Sequence, residues 1–200
     1  MFYLLRGEGM GYYKVLGFPM CEKARGYKGL YREEPCFIPG KMEYRIERLY
    51  HRYCEYYDTS CGITSELQLD ELFALKNWYS MNTSSDFELI YFASDAVDTP
   101  EMLNSTYYGI DVVGTGGYSM LGEDFFVCSN ERPHSKILKV MNMFFREHVN
   151  QHRLFLSLEV ANSFLDVLEA INILFPGHIE DEDWRIVHIF NIQKFESNSN

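Results

Sequence analysis

Side chains able to do acid–base or metal chemistry gather in one stretch, at Asp95, Asp98, Glu101, Asp111, Glu123 and Asp124. Paired carboxylates can act as general acid and base, or as oxygen ligands for Mg²⁺ or Ca²⁺. The alternating acids of an EF-hand loop are missing, and Asp95 and Asp98 precede Pro100, where such residues cap turns. His148 and His152 stand four apart, the spacing by which one helix offers two imidazoles to zinc. No Glu follows His148, and the helical pattern ends before His152, so both read as solvated histidines at a helix end. The five cysteines, Cys21, Cys36, Cys54, Cys61 and Cys128, include no Cys-x-x-Cys pair, and Cys128 sits in an apolar run that reads as core. The odd count and sparse spacing point to reduced thiols. Gly114-Thr115-Gly116-Gly117 follows a strand but matches neither phosphate-binding glycine pattern, and Glu123 and Asp124 would repel phosphate. It reads as a turn, and Asp181-Glu182-Asp183 as a solvated acidic one. The chain is therefore expected not to be an enzyme, with no metal and no cofactor.

The charge distribution points instead to binding. The net charge is −11, but residues 1–52 hold ten Lys/Arg against six Asp/Glu, whereas residues 53–131 hold Lys76 against 14 acids. Such a field repels nucleic acid and anionic lipid and speeds encounter with a basic protein. The aromatic share of 16% supplies a core with tyrosines to spare, and tyrosines anchor interfaces at low entropic cost. Asp95, Asp98, Glu101, Tyr107, Tyr108, Asp111 and Tyr118 are accordingly expected to form a partner-binding surface. Solubility alone is the plainer reason for an acidic surface.

These residues need a scaffold. Phe87–Ala93 and Tyr108–Val113 are apolar, aromatic and β-branched runs bounded by turn formers, which predicts two strands at the centre of the chain. Ahead of them, Met1–Arg6 and Tyr12–Phe18 flank a glycine-rich link and read as a hairpin, followed by a basic loop region to Gly40. Lys41–Tyr57 and Ser65–Tyr79 have helical apolar spacing, the second with Ser65 as N-cap. Asp124–Cys128 is expected as a strand, Pro133–Asn150 as a helix lined by Ile137, Val140, Met141, Phe144 and Phe145. Ser157–Leu174 reads as a Ser-capped helix ended by Pro176-Gly177, and Trp184–Gln193 alternates as a final strand before a frayed tail at 196–200. The predicted class is α+β over residues 1–200 as a single domain, a mixed, mostly antiparallel sheet covered by amphipathic helices. There is no signal-peptide pattern and no apolar run long enough to span a membrane, so a cytoplasmic location is expected.

Two stretches resemble small bacterial immunity proteins that neutralise polymorphic or contact-dependent toxins. The matching residues are Gly109-Ile110-Asp111-Val112, Gly117-Tyr118-Ser119, Leu154-Phe155 and Ser157. Ile110 stands where an aromatic is common in such proteins, and Gly114 where an acid is. The resemblance implies a toxin-binding protein whose partner is a cognate toxin, and it carries over no catalytic residue. It agrees with the charge argument, because nuclease toxins need basic channels for phosphate. The competing expectations are a metal-dependent small hydrolase or transferase using the Asp-rich loops, and a scaffold or DNA-mimic module acting through the same acids.

Overall fold

The computed structural model describes residues 12–19, 35–57, 67–94, 104–114, 119, 121, 135–174 and 184–193. They form strand β1 (Tyr12–Pro19), helices α1 (Tyr44–Tyr57) and α2 (Leu69–Asn82), strands β2 (Ser85–Ala93) and β3 (Asn104–Val113), helices α3 (Ser135–Phe145) and α4 (Leu158–Leu174), and strand β4 (Arg185–Gln193). The protein is α+β and a single domain. Among the described residues its sheet runs β1-β2-β4-β3 with every neighbour antiparallel. The last described strand thus lies inside the sheet, between two strands far earlier in the sequence. The expected segments 1–6 and 124–128 lie outside the described residues.

Cross-strand register assigns the faces, because residues opposite one another point the same way. Val15 opposes Leu89, Leu89 opposes Ile192, Tyr91 opposes Phe190, and Val112 opposes Ile186. All lie on the helix-bearing face. Over its β1–β2 side, α1 and α2 bury Ile46, Leu49, Tyr53, Leu72, Phe73, Leu75 and Tyr79 against Val15, Phe87, Leu89, Phe190 and Ile192. Over its β3 side, Met141 of α3 and Ala161, Phe164 and Leu168 of α4 pack on Ile110, Val112 and Phe155. The opposite face carries Leu16, Ile90, Phe92, Val187 and Ile189, all buried.

The helices differ from expectation mainly at their edges. Helix α2 begins at Leu69, and Gln68 precedes it. Glu71 supplies the start signal, since its Oε2 accepts the Gln68 N–H at 2.9 Å while its Oε1 accepts from Arg52 Nη1 of α1 at 2.8 Å. Those two bonds cap one helix and fasten it to its neighbour. Ser65, the expected N-cap, lies outside the described residues. Helix α3 ends at Phe145, and a 3-10 turn, Arg146–His148, follows. Val140 and Phe144, expected to line its buried side, are 53% and 70% exposed. In α4, Ser157 caps as expected, with its Oγ accepting the Val160 N–H at 3.5 Å and its carbonyl the Ala161 N–H. No helix among the described residues is long and apolar enough to cross a membrane.

Candidate binding site at the bulge of strand β3

The interior rhythm of β3 breaks once. Tyr107 opposes Phe190 and Gly109 opposes Ile189, leaving Tyr108 as an extra residue between them. A bulge re-aims the side chains around it. Gly109 makes it possible: its φ is +139°, and a Cβ there would stand 2.8 Å from both Leu154 Cβ and the Phe155 carbonyl oxygen. Only glycine combines that backbone angle with so close an approach.

The close neighbour is a tight hairpin around Asn150–Phe155. Ile110 and Phe155 exchange both backbone hydrogen bonds at 2.8 Å, so the hairpin extends the sheet beyond β3. Asn150 holds its turn: its Oδ1 accepts the N–H groups of His152 (2.8 Å) and Leu154 (3.2 Å), and its Nδ2 donates to the Tyr108 carbonyl at 2.6 Å. Arg153 takes the left-handed position of the turn at φ 59°, a conformation costing a non-glycine residue roughly 1–2 kcal/mol. The stretches Gly109–Val112 and Leu154-Phe155, distant in sequence, are therefore paired directly.

The two tyrosines point to opposite faces, as consecutive strand residues do, and the bulge leaves Tyr108 and Gly109 on the same one. Tyr107 lies on the helix-bearing face and is 45% exposed. Its ring rests 5.1 Å from that of Phe190, and its hydroxyl lies 3.1 Å from His188 Nδ1. Partial burial raises its pKa, so the phenol stays neutral. It is a rigidly seated aromatic with a wet edge, suited to a protein contact. Tyr108 is locked internally on the other face. Its hydroxyl donates to Glu88 Oε2 at 2.7 Å and accepts from Asn191 Nδ2 at 2.6 Å, while its ring stacks on His152 with centroids 4.0 Å apart. Burial, then the bond to the Glu88 carboxylate, pushes its pKa far up. His152 is thus an aromatic stacking partner on the turn, not the second imidazole of a helix face, and His148 lies exposed in the 3-10 turn.

Asp111 departs from expectation altogether. It is fully buried, its Oδ1 accepting the Val112 N–H and the Ser119 hydroxyl, each at 2.8 Å. Ser119 Oγ in turn accepts the Leu121 N–H at 3.1 Å. This carboxylate pins Ser119, and through it Leu121, to β3 and offers nothing to a partner's surface. Asp95, Asp98, Glu101 and Tyr118 lie outside the described residues. Glu88, Asn150, His152, His188 and Asn191 were not expected here. For Glu88, His188 and Asn191 the signal was a polar residue interrupting an apolar strand, as in FELIYFA and WRIVHIFNIQ, whereas Asn150 and His152 lie on a turn and carried no such signal. Among the described residues, no three His, Cys, Asp or Glu side chains come together as a metal site would need. Comparison of the chain with protein-family models, curated proteins and solved structures finds no match.

Proposed function

We propose that this chain is an immunity protein that binds and neutralises a cognate basic toxin, with Tyr107 at the centre of the contact. The observation that carries the reading is Tyr107 itself: half exposed on β3, yet held by Phe190 and His188. Seated aromatics of this kind dominate interface energetics. Support comes from the charge along the sequence, since Asp95, Asp98 and Glu101 run directly into β3 and residues 53–131 hold 14 acids against a single base. Such a field accelerates capture of a cationic protein and repels nucleic acid.

The test uses the product of the adjacent gene, where toxin and immunity genes sit together. The wild-type chain should bind it in calorimetry and rescue growth on co-expression. The variant Tyr107→Ala with Asp95→Lys and Asp98→Lys should lose both while still melting cooperatively, with a far smaller loss of stability than Asp111→Ala. Absence of binding and of rescue by the wild-type chain would remove the reading.

A further inference from the structure

On the β3 side of the sheet, the two helices show solvent surfaces of opposite kind. Helix α3 exposes Val140, Met143 and Phe144, at helical spacings of three and four. Lys139 and, one residue past the helix, Arg146 are exposed along with them, and neither is ion-paired among the described residues. Helix α4 has no Lys or Arg between Leu158 and Leu174. It buries Ala161, Phe164 and Leu168, so its helical period turns Glu159, Asp166 and Glu169 to water, with Ile173 continuing the stripe at 79% exposure. Those three acids are likewise without an ion pair among the described residues. The helices are neighbours, joined through Phe145 and Phe164 at 5.0 Å.

We propose that these two stripes form a self-complementary interface with a second copy of this chain. Helix α3 of one copy lies along α4 of the other, and α4 of the first along α3 of the second. Two-fold pairing of this form satisfies both stripes at once, since each contact is made twice. Exposed apolar residues scattered singly need no explanation, but a spaced cluster rimmed by charge marks a contact surface. The charges select the occupant: the cationic stripe needs an anionic, partly apolar helix, and α4 is one. The pairing is independent of toxin binding at Tyr107.

Sedimentation equilibrium of the full chain tests it. The wild-type chain should reach twice its 23.5 kDa mass. Lys139→Glu with Arg146→Glu gives two anionic stripes, and Asp166→Lys with Glu169→Lys gives two cationic ones. Each variant alone should self-associate at least roughly tenfold more weakly, because like charges then meet. Mixed together, they should form a heterodimer, because each altered stripe again meets its opposite. Circular dichroism of each variant should match the wild type, as all four residues are exposed. A monomeric wild-type chain at all concentrations, or a mixture no more associated than its components, would overturn the proposal. Monomers that bind an acidic peptide instead would assign the α3 stripe to a different partner and overturn it equally.

Discussion

At the scale of single residues, Asp111 and Tyr107 make the sharpest contrast. Both belong to β3 and both were candidates for a partner surface, yet one is sealed and the other open. Removing the Asp111 carboxylate strips an acceptor from the Val112 N–H and the Ser119 hydroxyl. A hydrogen bond contributes about 1 kcal/mol net, and the loss of an acceptor leaves each buried donor unmet at a cost of about 1–3 kcal/mol. Asp111→Ala is therefore expected to lower stability by about 2–4 kcal/mol in urea unfolding, whereas Tyr107→Ala should change it far less and act on binding. Asn150→Ala should resemble the first, since three bonds converge on that side chain. The sequence could not separate Asp111 from Tyr107, for a physical reason. Alternation identifies one buried face, but residues 109–114 are buried on both, and the extra residue at Tyr108 shifts the phase midway. Gly109 was visible as a glycine in a strand, a known sign of a bulge or close approach, although the partner of that approach, the Asn150 turn, could not be seen.

At the scale of elements, helices were legible where their burial follows a single stripe. Helix α4 is the clearest case, with its Ser157 cap and its Ala161, Phe164 and Leu168 core. Phe164→Ala should cost about 3–5 kcal/mol and Leu168→Ala about 2–5, from lost burial and the cavity left behind. Val167→Ala, at a site 37% exposed, should cost well under either. Helix α3 was legible as a helix but not in its packing, because its apolar residues wrap around more than the side it buries. Periodicity reports which residues are apolar, not which of two apolar sides meets the sheet. The start of α2 was misplaced because Ser and Glu at 65–66 resemble a cap as strongly as Gln68 and Glu71 do. Glu71 gives this junction a pH dependence. The Gln68 N–H first, and the Arg52 guanidinium after it, hold its carboxyl below the usual range. A carboxyl with a depressed folded-state pKa adds stability above its unfolded value of about 4.3 and loses it as pH falls through the folded one. Acid titration of Glu71→Gln should accordingly show a smaller drop in stability below about pH 4 than the wild type. An unchanged acid limb would mean that neither the Gln68 N–H nor the Arg52 guanidinium favours the charged Glu71 in the fold.

At the scale of the whole molecule, the α+β class and an antiparallel sheet under helices followed from the element pattern, but the strand order did not. Short apolar strands carry no label for their neighbour, and the pairing of β4 with both β2 and β3 spans most of the chain. The order β1-β2-β4-β3 has a mechanical consequence. Strand β4 supplies Ile192 and Phe190 to the α1–α2 core and Ile186 to the α3–α4 core, while Val187 and Ile189 fill the opposite face. It is the one described strand that contributes to all three apolar clusters, and without it β3 and β2 have no common partner. Pairings of such long sequence separation form late, because the entropy of closing the loop is lost before the strands can stabilise one another. A chain ending at residue 183 should thus keep local helix and the antiparallel β1–β2 pair under α1 and α2 at most. It is expected to lose the near-ultraviolet dichroism of its packed aromatics and to melt without a cooperative transition, as compact states without fixed packing do. Truncation of β1 offers the contrast. Among the described residues that strand is an edge, paired only with β2, and it is tied to α1 by the Val15 N–H to Tyr53 hydroxyl bond at 3.1 Å. Its loss should leave β2-β4-β3 and the α3–α4 core cooperative, at lower stability. If both truncated chains melted alike, the sheet's centre would be no more essential than its rim, and the three clusters would have to be stabilised independently of the strand that joins them.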